Sequence, residues 1–181
     1  MKTSSPRLNC IPTAVAMLLL SLLVLLCATG YAAKTKHTST RPAYATYCNA
    51  RFGFTVRYPR SLKMGPPPEN DDGREFLAKD GFSMTASGIN NAADDTLASE
   101  MAEWRRDFTR VTYQATGRNW FVLSGTKAGK IIYVKAYVGK GSINHLYITY
   151  PAKLKTKYRK VVATISSSFK PGNLAEGGWA Q

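Results

Sequence analysis

YCNARFGFTVRYP, residues 47–59, decides the fold. From Phe52 the apolar side chains take every second position, Phe52, Phe54, Val56 and Tyr58, with small or polar Gly53, Thr55 and Arg57 between them. A two-residue period marks a strand with one face buried. Pro59 ends the pairing, since it has no N–H to give to a ladder. This is the first stretch whose apolar face must be buried, and the strands and two helices downstream are expected to cover it.

Toward the N-terminus, residues 33–46 are polar and basic without periodicity, which predicts a flexible tether. Before it, Lys2 and Arg7 precede an uncharged run over residues 14–28, and small Gly30 and Ala32 follow. That order predicts a signal peptide over residues 1–32 and a periplasmic or secreted protein. Cleavage is expected after Ala32, with Ala33 the near alternative. Two rival readings are a lipidated Cys27, against which Leu26 stands where a small residue is needed, and an uncleaved anchor. The apolar run is short of the roughly 20 residues that span a bilayer.

The chain carries 25 Lys and Arg against 11 Asp and Glu, a net charge of +14. Without residues 1–32 it is +12, because Lys2 and Arg7 leave and no acid does. Such a field attracts polyanions: lipid head groups, lipopolysaccharide or acidic proteins. Cys10 and Cys27 fall in the signal, so Cys48 is alone in the mature chain and no internal disulfide forms there. Burial beside the first strand is its expected fate, intermolecular pairing the alternative.

Toward the C-terminus, a loop rich in turn formers occupies residues 65–73. Short strands over 75–78 and 82–87 flank Asp80-Gly81, a hairpin signal. A helix follows Asp94 and Asp95, with Leu97, Met101, Trp104 and Phe108 as its apolar stripe. Strands over 111–116, 119–125, 131–138 and 143–150, with short links, predict an antiparallel meander. A closing helix over 152–169 turns Leu154, Tyr158, Val161, Val162, Ile165 and Phe169 inward, and residues 172–181 are expected to form a loose tail. The order predicts one α+β domain over 47–171, an antiparallel β-sheet meander sandwiched by helices.

Chemistry has few footholds. His37 lies in the tether, so His145 is the sole histidine of the predicted domain, and no nucleophile-elbow pattern accompanies it. Zinc-ligand spacing is missing, and Asn70-Asp71-Asp72-Gly73 lacks the later bidentate Glu of a calcium loop. The expectation is a non-enzyme with no catalytic residues, no cofactor and no metal.

Two surfaces remain as binding candidates. If the strands over 131–138 and 143–150 are neighbours with their even positions in the core, Tyr133, Lys135, Tyr137, His145 and Tyr147 share one face. Tyrosine, with an apolar body and a polar tip, suits a protein contact. The second is the start of the last helix, where Lys153, Lys155, Lys157, Arg159 and Lys160 could hold anions such as lipid or polysaccharide phosphates. Apart from Tyr158, which the apolar stripe claims for the core, aromatic residues for base stacking are missing around it, which argues against nucleic acid.

Residues 52–59 (FGFTVRYP), the meander from Trp120 to Tyr150 and the closing Tyr158, Val161, Val162, Ile165, Ser168 and Phe169 resemble the PsbP-like fold family, which includes PsbP and the Ran-binding Mog proteins. The resemblance covers residues 47–171. It implies an α/β/α sandwich without catalysis, whose members bind or help assemble other proteins. For an exported chain it implies a partner in the cell envelope, of the assembly-factor or toxin-immunity kind; the alternative is an electrostatic binder of anionic envelope components.

Overall fold

The computed structural model describes residues 43–178. The predicted signal peptide, most of the tether and the last three residues lie outside them. Two hairpin strands, β1 (Tyr44–Cys48) and β2 (Thr55–Pro59), come first. Then follow β3 (Lys63–Met64), β4 (Gly73–Leu77), β5 (Ser83–Asn90), α1 (Leu97–Arg105), β6 (Arg110–Thr116), β7 (Trp120–Lys127), β8 (Lys130–Val138) and β9 (Ser142–Pro151). A 3₁₀ turn (Ala152–Leu154) leads into α2 (Lys155–Ser168).

The opening stretch folds as its alternation demands, with one change. The ladder starts at Thr55, and residues 49–54 form the turn that precedes it. Asn49 organises that turn: its side-chain oxygen accepts the Phe52 N–H at 2.7 Å, and its carbonyl accepts the Gly53 N–H at 3.0 Å. Phe52, Phe54 and Val56 are buried, while Tyr58 is half-buried. Residues 44–46, assigned to the tether from sequence, are part of β1 and pair with residues 57–59. Tyr47 packs edge-on to Phe54 and Phe76, so its neighbour Cys48 faces outward and is exposed rather than buried.

β3 to β9 form one seven-stranded antiparallel sheet in the order β3-β4-β5-β9-β8-β7-β6. The β6–β9 meander is as expected, and β9 returns to pair with β5, which joins the two halves of the chain. Asp80-Gly81 closes the β4–β5 hairpin, with Gly81 at φ 91°, where a side chain would be strained. On one face Leu97, Met101 and Trp104 of α1, with Phe108 just beyond it, pack against Phe121, Leu123, Val134 and Ala136. On the other, α2 and the β1–β2 hairpin close over Phe76, Phe82, Met84, Leu146 and Ile148. Helices thus lie on both faces, the predicted α/β/α arrangement.

Thr96 caps α1 by accepting the Ser99 N–H at 3.1 Å, and Ser99 Oγ accepts the Thr96 N–H in return. α2 has no side-chain cap and no acid in its first turn. Asp80 supplies the missing negative charge from the β4–β5 turn, accepting from Tyr158 at 2.7 Å and from Lys157 at 2.5 Å. Residues 172–178, expected to be loose, are tied down. Gly172 donates to Asn144, Leu174 accepts from Gly141, and Gly178 donates to Asn90 at 2.7 Å. Only glycine fits at 172, since a Cβ there would stand 1.8 Å from the Phe52 carbonyl oxygen.

Candidate functional site

The sheet register decides which predicted site residues meet. β8 pairs with β9 so that Tyr133 lies opposite Ile148, Lys135 opposite Leu146 and Tyr137 opposite Asn144. Residues directly opposite share a face. Tyr133, Lys135 and Tyr137 therefore lie on the α2 side, whereas His145 and Tyr147, opposite Ala136 and Val134, lie on the α1 side. The predicted five-residue face is thus two faces. The cause is the connection between the paired Val138 and Ile143: four residues separate them, so odd positions of one strand meet even positions of the next. Both faces of both strands are largely apolar, and no polar alternation betrays the offset.

On the α1 side, His145 and Tyr147 hold the helix to the sheet. His145 Nε2 lies 2.7 Å from Glu100 Oε1, and the same oxygen accepts the Trp104 indole N–H at 2.7 Å. The Trp104 ring covers both residues, with centroids 5.5 Å from His145 and 5.4 Å from Tyr147. Burial pulls the Glu100 carboxyl upward, but the hydrogen bond and charge of His145 with the Trp104 N–H outweigh it, so its pKa is lowered. Glu100 and His145 are 8% and 7% exposed, which makes this a structural clamp rather than a contact surface.

On the α2 side the helix packs over β9 and reaches β8 through Ser166 and Phe169; among the described residues no helix lies on this face of β7 and β6, which leaves an open strip. Three rows cross it: Tyr113, Ser124 and Tyr133; Ala115, Val122 and Lys135; Trp120 and Tyr137. Tyr113 is 57% exposed, and Trp120, Tyr133, Lys135 and Tyr137 are half-buried. Lys135 sits at the centre, its ammonium 5.1 Å from the Tyr137 ring centroid and 5.9 Å from that of Trp120. It donates to the Ser166 carbonyl at 3.0 Å, and Tyr133 shares a hydrogen bond with the Ser166 hydroxyl. Tyr137 donates to the Phe169 carbonyl at 3.4 Å. Burial pushes the Tyr133 phenol pKa up.

The basic residues of α2 also divide. All five are exposed. Lys155, Arg159 and Ser166 follow one edge of the helix at spacings of four and seven, and Ser166 is the residue touching Tyr133 and Lys135. Lys155 and Arg159 therefore form the wall of the open strip. Lys157 lies on the opposite edge, engaged with Asp80, Lys160 is turned to the outer face, and Lys153 sits in the 3₁₀ turn before the helix. The Lys157 hydrogen bond, then that of Tyr158, holds the Asp80 carboxyl below its ordinary value.

Tyr113 and Trp120 complete the strip, and sequence reasoning did not single them out. Their signal was available: Trp120, Val122 and Ser124 alternate as a second face. A further signal is charge. From residue 108 to residue 175 there is no Asp or Glu, while the same stretch holds twelve Lys and Arg. Every acid lies between 69 and 107 or at 176.

No protein-family model matches the chain, and no curated protein matches it in sequence. It is similar in structure to cyanobacterial PsbP (CyanoP) from Synechocystis sp. PCC 6803, with a TM-score of 0.56 at 12% identity, covering 73% of this chain and 95% of that one. The Ran-binding protein Mog1p of Saccharomyces cerevisiae aligns with a TM-score of 0.48 at 10% identity, covering 71% and 95%. The likeness to CyanoP is one of fold: the chain has the PsbP-like fold.

Proposed function

We propose that this protein is a non-enzymatic module that binds another protein through the open strip of β6, β7 and β8 beside α2, and that it works in the cell envelope. One observation carries the reading: Tyr113, Trp120, Tyr133 and Tyr137 share a sheet face with Lys135, and this face runs on past the edge of α2 over β7 and β6. Tyr and Trp give large contact area while keeping a polar tip for solvent, and they are enriched in the buried centres of protein contacts. The envelope placement rests on the signal-peptide pattern of residues 1–32.

A second reading, an electrostatic binder of anionic envelope components, draws on the exposed cations at the start of α2. Capture from an envelope extract, washed at low and high salt, separates the two. The full chain is expected to retain a discrete protein through the high-salt wash, and Tyr113→Ala and Trp120→Ala to lose it. Capture indifferent to both substitutions overturns the strip as the contact. Diffuse material released by salt supports the electrostatic reading, since screening beyond about 8 Å weakens exposed charges at physiological ionic strength.

A further inference from the structure

We infer that the occupant of the open strip is an amphipathic, acidic helix of the partner protein, lying alongside α2; this rests on the reading that the strip binds protein. Width is the first argument. From β8 to β6 is two strand spacings, about 10 Å. A single helix is about 10 Å across and packs about 8–10 Å from a neighbouring helix axis. α2 already fills the adjacent part of this face, over β9, and its edge touches β8 at Ser166 and Phe169. One helix beside it completes the layer.

Chemistry is the second argument. The floor is the ring surface of Tyr113 and Trp120 with Ala115, laid over the buried Val122, and Lys135 lies in its midst. The walls are cationic: Lys155 and Arg159 on the edge of α2, and Arg110 on β6, placed on this face by its pairing with Thr126. With no carboxylate in residues 108–175, this stretch supplies no internal counter-charge for those groups. A helix with an apolar stripe flanked by Asp and Glu satisfies both features.

Strand addition to β6 is the competing mode, because β6 ends the sheet. The register shift between Val111 and Tyr113 interrupts its ladder, and bulges of this kind protect edges from a further strand.

The test is a displayed library of random peptides, each about 20 residues and so able to form a helix about 30 Å long. It is selected on the immobilised full chain and counter-selected on Tyr113→Ala. Enriched peptides are expected to repeat apolar residues at three- and four-residue spacing with Asp or Glu beside them. Their affinity is expected to fall tenfold or more on Arg159→Glu and to recover when the peptide acids become Lys. Both positions are exposed, and an unchanged circular dichroism spectrum and melting curve confirm folding of each variant. Peptides with two-residue alternation, basic or neutral peptides, or no enrichment over Tyr113→Ala overturn the helix. Should extract capture still depend on Tyr113 and Trp120 in that event, the protein-binding reading stands and only the helix falls.

Discussion

Glu100 places a carboxyl where a charge is costly, between α1 and the sheet, and His145 and Trp104 make it tolerable. Its folded pKa lies below the ordinary value of a glutamate, so on acidification the unfolded chain takes up the proton first. The contribution to stability is complete above the unfolded-state pKa and is lost as pH falls through the lower, folded one. Urea unfolding from about pH 6 to about pH 3 is therefore expected to show a steeper loss for the parent than for Glu100→Gln. At neutral pH the variant is expected to be less stable by about 1–3 kcal/mol, the cost of weakening a buried hydrogen-bonded pair. Parallel slopes would contradict the clamp. The His145–Glu100 pairing was not legible beforehand: forty-five residues separate the two, and only the β8–β9 register turns His145 toward α1.

At the scale of elements, α2 has two edges with different work. Lys157 answers Asp80 across the β4–β5 turn, and Arg159 faces the open strip. Arg159→Ala is expected to weaken partner binding severalfold in a titration, and Lys157→Ala to leave it unchanged. Equal losses would make the basic helix a diffuse electrostatic patch. The segment after α2 also has a task, since backbone hydrogen bonds of Gly172, Asn173, Leu174 and Gly178 tie it to the end of the sheet. Ending the chain at Pro171 is expected to cost about 2–3 kcal/mol in chemical denaturation, at about 1 kcal/mol per lost hydrogen bond. Loss within error would return the segment to the loose tail suggested by its glycines. The sequence shows apolar stripes well, and those of both helices proved to be core. It shows the register of β8 against β9 poorly, because Ile132, Val134 and Ala136 on one face are as apolar as Ile131 with its tyrosines on the other.

For the whole molecule, the architecture was legible because local signals agree with the global fold: alternation in residues 52–58, the Asp80-Gly81 turn, four strands with short links and two striped helices. What the fold leaves uncovered was not legible, since coverage depends on where α2 lies across the sheet. The four-strand meander and α2 together carry no acid, so the open strip sits in a field of one sign. The central claim is that this strip is where the partner sits. A photo-crosslinking residue in place of Tyr113 in the living cell tests it most directly, with the same residue in place of Thr85, on the opposite face of the sheet, as comparison. A discrete crosslinked protein is expected from position 113 and none from position 85. A crosslink from 85 with none from 113 would contradict it.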